Sequence, residues 1–161
     1  MTALVRHRDE GVATWFLNSL VTTKASAAET GGHFSLTEHL ITAAANPPMH
    51  AHSDEEESMY VLDGELELEV DGAVTVVRAG SFALVPRGSL HTYRVLTPTA
   101  RVLVINSAPH AATNGGFEHF FTEVGEPAAE RVLPEPTAPD VGEVVRIAAA
   151  HGIQIPPPPG A

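Results

Sequence analysis

Cysteine is absent from the chain, which excludes disulfides, thiolate metal ligands and a cysteine nucleophile, and leaves imidazole and carboxylate as the strong ligand types available. Basic side chains are scarce. Nine Lys and Arg stand against twenty Asp and Glu, a formal net charge of −11. With Arg6-His7-Arg8 as the one basic cluster, no nucleic-acid surface is expected, and anionic membranes would repel the molecule. No apolar run approaches the length that spans a bilayer. The start, Met1-Thr2-Ala3-Leu4-Val5-Arg6, lacks a hydrophobic stretch with a cleavage site, so the expectation is a cytoplasmic protein without a membrane partner.

What is present suits a single domain over residues 1–161, since 161 residues with 43% apolar content can bury a real core. Trp15 to Lys24, rich in aromatic and β-branched residues, reads as a first strand, and Thr30-Gly31-Gly32 turns into a second over His33 to Ile41. From Asn46-Pro47-Pro48 to about Ser107, short β-rich runs are separated by the turn dipeptides Asp63-Gly64, Asp71-Gly72, Ala79-Gly80, Arg87-Gly88 and Thr97-Pro98. Glu65 to Val70 alternates charged and apolar residues, giving one wet and one dry face. Together these predict an all-β, antiparallel barrel or sandwich over about residues 12–110.

The pattern changes after Asn114-Gly115-Gly116. Phe117, Phe120, Phe121 and Val124 recur at helical spacing until Gly125 and Pro127, and a second helix is expected from Asp140, as N-cap, through Val141, Val144, Val145 and Ala148 to His151-Gly152. This helical segment covers about 115–151. Residues 152–161, closing on Pro156 to Pro159, read as an extended, mobile tail.

Chemistry concentrates in two stretches. Alternate side chains of a strand share a face, so His50 and His52 of His50-Ala51-His52 project to one side with backbones about 6.5 Å apart, and both imidazoles can reach one cation. Four consecutive acids follow, Asp54, Glu55, Glu56 and Glu57, any of which could bend inward. The alternation Glu57, Met59, Val61 favours Glu57, with Glu56 in reserve and the others on a solvated loop. Alternation from His91 puts Tyr93 and Val95 on one face. Met59, Val61 and either Phe82 or Leu84 would complete a largely apolar cavity, and Tyr93, as a buried phenol, needs a polar partner. Such walls suit an aromatic or polyketide-like molecule better than a sugar. His7, His33, His39, His110, His119 and His151 lack ligand spacing and read as exposed or packed, with one reservation: if the second strand turns Glu38 into the barrel, Glu38 becomes an outer-shell group or acid/base.

Pro48 to Gly64 reads PMHAHSDEEESMYVLDG and Gly80 to His91 reads GSFALVPRGSLH. These two stretches resemble the paired motifs of the cupin superfamily, met here by His50, His52, Glu57 and Gly64 and then by Gly80, Pro86, Gly88 and His91. Ala44 stands where the family has a leading glycine and Val95 where it has a trailing asparagine. Neither departure falls on a ligand. The resemblance implies a jelly-roll barrel with C-terminal helices, and one divalent transition metal ion on His50, His52, Glu57 and His91. Iron, manganese, nickel, copper, cobalt and zinc all accept such a set. Positions left for water or substrate would make the site reactive.

Gly115-Gly116-Phe117-Glu118-His119-Phe120-Phe121, followed by proline-rich sequence, resembles the tail of single-domain bacterial cupins similar to quercetinases, the flavonol-cleaving dioxygenases. That likeness implies a metal-dependent dioxygenase with a small aromatic substrate and dioxygen as co-substrate, the metal binding a deprotonated hydroxy-ketone and Glu57 accepting the hydroxyl proton. A metal-dependent cyclase or isomerase, or a non-catalytic small-molecule binder, are the alternatives. The family is commonly dimeric. A homodimer is therefore expected, with Trp15 to Val21 adding to a neighbour's sheet edge, unless the helices from Phe117 close the barrel's outer face.

Overall fold

The first ribbon is a hairpin rather than the single strand expected over Trp15 to Lys24. Leu17 and Asn18 carry φ of 43° and 65°, the left-handed pair that a tight two-residue reversal needs, and they separate β1 (Val12–Phe16) from β2 (Ser19–Ala25). A leucine is rare in that backbone region, so its apolar side chain reads as strand continuation. This computed structural model describes residues 3–107 and 116–157; His110, Asn114, Gly115, Pro158 and Pro159, singled out in the sequence, lie outside them.

Among the described residues the chain continues through β3 (Ser35–Thr42), β4 (Ala51–His52) and β5 (Glu56–Asp63), and the five turn dipeptides then each precede one strand: β6 (Glu65–Val70), β7 (Ala73–Arg78), β8 (Phe82–Val85), β9 (His91–Val95) and β10 (Thr99–Ser107). Two helices, α1 (Glu118–Val124) and α2 (Val141–Ala150), come later, with β11 (Glu126–Pro127) between them and β12 (Ile153–Gln154) after. Every strand pairing is antiparallel. One sheet runs β11-β1-β2-β3-β10-β5-β8, a second runs β7-β6-β9, and the short β12-β4 pair joins the second through a bridge between His50 and His91. This is the expected jelly roll with C-terminal helices. Its core lies between the layers, where Ile41, Met59, Val61, Leu66, Leu68, Val77, Val95, Val102 and Val104 are buried, and strict alternation along β10 supplies Ala100, Val102 and Val104 from one face.

Three expectations are corrected at the margins. The open edge of β1 is taken by β11, with Thr14 opposite Pro127 and Trp15 opposite Glu126, so the edge assigned to a second copy is covered by the chain itself. Ile153 and Gln154 belong to no loose tail, because they pair with His52 and Ala51. The helices do not close an outer face: α1 packs Phe117, Phe120 and Phe121 with Val21, Phe16 and residues Ile147, Ala148 and Ile153, over the inner side of β2. Asp140 does cap α2, its carboxylate accepting from the Glu143 N–H at 3.1 Å.

The motif glycines Gly64 and Gly88 both hold left-handed backbone, at φ of 84° and 82°. They differ in surroundings. A Cβ on Gly64 would stand 2.6 Å from the Thr99 carbonyl oxygen and 2.9 Å from the Ala100 Cα, whereas one on Gly88 would meet open space. Gly88→Ala should therefore cost about 1–2 kcal/mol for the torsion alone, and Gly64→Ala distinctly more because backbone must also move. Chemical denaturation of the two variants reads the difference, and equal losses would contradict the close approach at Gly64.

Candidate metal centre

His50 and His52 are held by backbone on three sides. The His50 N–H donates to the His91 carbonyl at 3.0 Å and the His91 N–H returns to the His50 carbonyl at 2.8 Å, which ties the start of β4 to the start of β9. The Gly88 N–H donates to the His52 carbonyl at 2.9 Å, and β12 pairs along the other side of β4. Ala51 lies between the two histidines on the opposite face, as alternation requires. Two motifs far apart in sequence are thus zipped together by main-chain hydrogen bonds, and three imidazoles converge.

Their ligand nitrogens lie within 4.8 Å of one another. Two of the three rings are steered from behind, with His50 Nδ1 at 2.9 Å from the Pro48 carbonyl and His91 Nδ1 at 3.0 Å from the Ser89 carbonyl. A carbonyl only accepts, so each Nδ1 carries the proton and each Nε2 turns its lone pair inward. His52 Nε2 and His91 Nε2 are buried without a hydrogen-bond partner among the described residues. Such buried, inward-aimed nitrogens are costly unless something coordinates them. Glu57 closes the group, with Oε2 at 3.4 Å from His52 Nε2 and Oε1 at 3.8 Å from His91 Nε2. The donor set fits one metal ion: three neutral imidazoles and a carboxylate.

Protonation states agree with that fit. Burial alone would raise the Glu57 carboxyl, but the facing His52, with His91 and His50, outweighs it and holds the group at about 2. Burial lowers His50 to about 4, helped by His91. Near neutral pH the carboxylate is ionised and the imidazole neutral, the forms that bind metal. On β5, Glu57 faces inward between Val85 of β8 and Asn106 of β10 while Glu56 takes the opposite face, in line with the alternation that favours Glu57.

The surroundings depart from a wholly apolar cavity. Met59 and Val61 do face inward, packed in the core one and two alternate positions beyond Glu57, and Tyr93 packs against the same cluster. Burial and the Glu57 charge push the Tyr93 phenol up, so it stays protonated. Phe82 does not line the site: it is 62% exposed, and Leu84 also points outward, because Ala83 and Val85 are the inward residues of β8. Glu55, expected on a solvated loop, is 5% exposed, and its carboxyl is raised to about 7, chiefly by burial against the opposing pull of His52. On β3, His39 rather than Glu38 turns in. Glu38 pairs outside with Arg101 and, at 3.8 Å, with Lys24, whereas His39 Nε2 lies 2.8 Å from Thr37 Oγ1 with its ring edge-on to Phe121. Phe117 approaches His52 with ring centroids 4.7 Å apart, so α1 walls the centre directly. Asn106 and Ser35, each 2% exposed, also face inward, and neither was singled out in the sequence. Counting alternation on from Val102 and Val104 would have found Asn106 as the polar end of an apolar stripe.

Comparison with known proteins places this geometry. Residues 37–106 match the family model described as Cupin domain. The match runs from β3 to β10, so the barrel is similar to a cupin domain. Quercetin 2,3-dioxygenase of Bacillus subtilis (strain 168) is 29% identical over 120 residues, 73% of this chain but 33% of that protein, so this chain spans about a third of the relative's length. Among solved structures, the polyketide cyclase RemF from Streptomyces resistomycificus superposes with a TM-score of 0.55 at 25% identity, covering 68% of this chain and 83% of that one. A predicted oxalate decarboxylase from Thermotoga maritima has a TM-score of 0.59 over 66% of this chain and 99% of that one; at 15% identity it shares the fold alone.

The inward placement of His39 has a consequence in acid. Burial lowers this imidazole from 6.5 to about 4, so between those values the unfolded chain binds a proton that the folded one refuses, and stability from this group falls as pH falls. His50 acts in the same direction and Glu55 in the opposite one, its raised carboxyl favouring the fold as pH drops from about 7 toward 4.5. The difference between variants isolates His39. Melting of chelator-treated protein at stepped pH should show His39→Gln gaining on the parent between pH 6.5 and 4, and parallel curves would place His39 in water.

Proposed function

We propose that this cupin-like protein is a metal-dependent dioxygenase of a flavonol-like or other aromatic hydroxy-ketone, with His50, His52, His91 and Glu57 as metal ligands and Glu57 as the proton acceptor. The observation that carries the reading is the Glu57 carboxylate, buried, ionised and set between His52 Nε2 and His91 Nε2. The likeness to quercetin 2,3-dioxygenase over 73% of the chain supports the substrate class. A divalent ion bound there would supply Lewis-acid polarisation of the substrate's oxygen.

The protein's own part follows from its groups. A hydroxyl brought to the centre meets an ionised carboxylate within hydrogen-bond reach of the ligand set, so its proton passes to Glu57 as the oxygen takes on anionic character. The Nδ1 bonds to Pro48 and Ser89 keep His50 and His91 from rotating to accept that proton instead. Phe117 and its neighbours on α1 keep bulk water from the His52 side. Met59, Val61 and Tyr93 form the inner wall against which an aromatic ring would lie; Phe82 is dropped from that set. A cytoplasmic homodimer belongs to the same proposal on the family likeness, and light scattering reads its mass.

Glu57→Gln keeps shape and loses the base. It should retain more metal than His50→Ala by elemental analysis, yet lower flavonol-dependent oxygen uptake by about 10²–10⁴-fold. Equal uptake by the two variants at equal metal content would rule out the proton role. The second reading, a non-redox cyclase in which the ion polarises a carbonyl, is favoured by the likeness to the polyketide cyclase. Product formed under strict anaerobiosis selects it, and loss of product on removing oxygen selects the dioxygenase.

A further inference from the structure

Glu57, Asn106 and Ser35 stand in one row across three neighbouring strands, since Asn106 pairs with Glu57 on β5 and with Ser35 on β3. All three face the interior, where the next row along is Met59, Val104 and Thr37. Both the Nδ2 and the Oδ1 of Asn106, and the Oγ of Ser35, are buried with no hydrogen-bond partner among the described residues. An amide that leaves its donors and its acceptor unused inside a core is worse than a leucine there, so stability alone does not account for it. Adjacent strands lie about 4.8 Å apart, which puts these groups roughly 5 Å and 10 Å along the sheet from the carboxylate that faces the metal ligands.

We propose that Asn106, with Ser35 beside it, is a hydrogen-bonding subsite of the metal pocket that recognises a second oxygen function on the substrate, several ångströms from the oxygen held at the metal. An amide both donates and accepts, so it suits a phenolic hydroxyl or a ring ketone, and Ser35 can complete the pair. The substrate class is thereby narrowed to an aromatic hydroxy-ketone with at least one further oxygen substituent. A site built around such groups discriminates strongly against an analogue lacking the partner, because the buried amide is then left unpaired. The inference rests on the metal centre and aromatic substrate proposed above, and goes beyond them in naming what reads the far end.

Quercetin and 3-hydroxyflavone share the hydroxy-ketone but differ in their remaining hydroxyls, which makes them a matched pair. Their dissociation constants are measured calorimetrically under argon, with the protein's metal as purified, for the parent, Asn106→Leu and Ser35→Ala. The parent should prefer quercetin, Asn106→Leu should shrink that preference by roughly tenfold, and Ser35→Ala should shrink it less. Asn106→Leu should also keep its metal by elemental analysis and melt no lower than the parent, because an unpaired amide has been replaced by an apolar group. An unchanged preference overturns the subsite, as does a lower melting temperature with lost metal, which would mark Asn106 as structural. Binding that depends on Asn106 but brings no oxygen uptake upholds the subsite while removing the dioxygenase reading. Failure of both flavonols to bind the metal-loaded protein overturns both.

Discussion

A carboxylate buried beside three imidazoles is the constraint on which the rest of this molecule turns. An ionised Glu57 with no compensation would be expelled from the core or protonated there. It stays charged because His52 and His91 face it at 3.4 and 3.8 Å; the Ser89 carbonyl and a two-way main-chain bridge to His50 direct His91, and the Gly88 N–H and β12 fix the backbone of His52. The charge of one residue is therefore secured by the register of β4 against β9. A slip of β4 by one position there would turn His50 and His52 outward and leave Glu57 with His91 alone. Sheet pairing, tautomer and ligand geometry are a single arrangement.

This dependence explains why the barrel is closed where it is. The site lies where the large sheet, which supplies Glu57, faces the smaller layer, which supplies the histidines. An opening is needed for substrate, yet bulk water would weaken the interactions among the clustered groups and relieve the burial that keeps His50 neutral. Helix α1 answers the second demand: Phe117, Phe120 and Phe121 form an aromatic plug packed on Val21, and Phe117 contacts His52. The plug is anchored by Glu118, whose Oε1 accepts from the Ala27 N–H at 2.8 Å. β12 contributes from the other side by pairing with β4, so the chain beyond the barrel is part of the frame of the candidate metal centre.

The convergent histidines and most of the barrel were legible in the sequence because each was written at short range. Alternation reports the inward face of β5, β6 and β10, and turn dipeptides report the ends of β5 and β6. What escaped was what depends on partners distant in the chain. Leu17 sits in a turn that its hydrophobicity conceals. Phe82 and Leu84 are apolar but outward, so the larger side chains of β8 point away from the core and Ala83 and Val85 toward it. Glu55 is buried, with Glu118 of α1 among the charges around it, a neighbour about sixty residues on in the chain. On β3 both faces look plausible, with Leu36 and Leu40 on one and Thr37, His39 and Ile41 on the other. The more polar set is the inner one, since that strand borders the histidine cluster rather than plain core.

That inversion on β3 carries the last step of the argument. In a barrel whose interior served stability alone, the inward row beside Glu57 would be aliphatic, as the rows through Met59 and Val61 largely are. Instead polar groups run from Glu57 through Asn106 to Ser35, and Thr37 and His39 follow along β3. Thr37 and His39 satisfy each other at 2.8 Å. Asn106 and Ser35 have no such closure among the described residues. The interior is thus divided into a polar pair complete in itself and a polar pair left open, and only the open one shares its row with Glu57. Unmet hydrogen-bonding capacity is destabilising wherever it is buried, so its position next to the reactive group is where a substrate's oxygen would return the most binding energy.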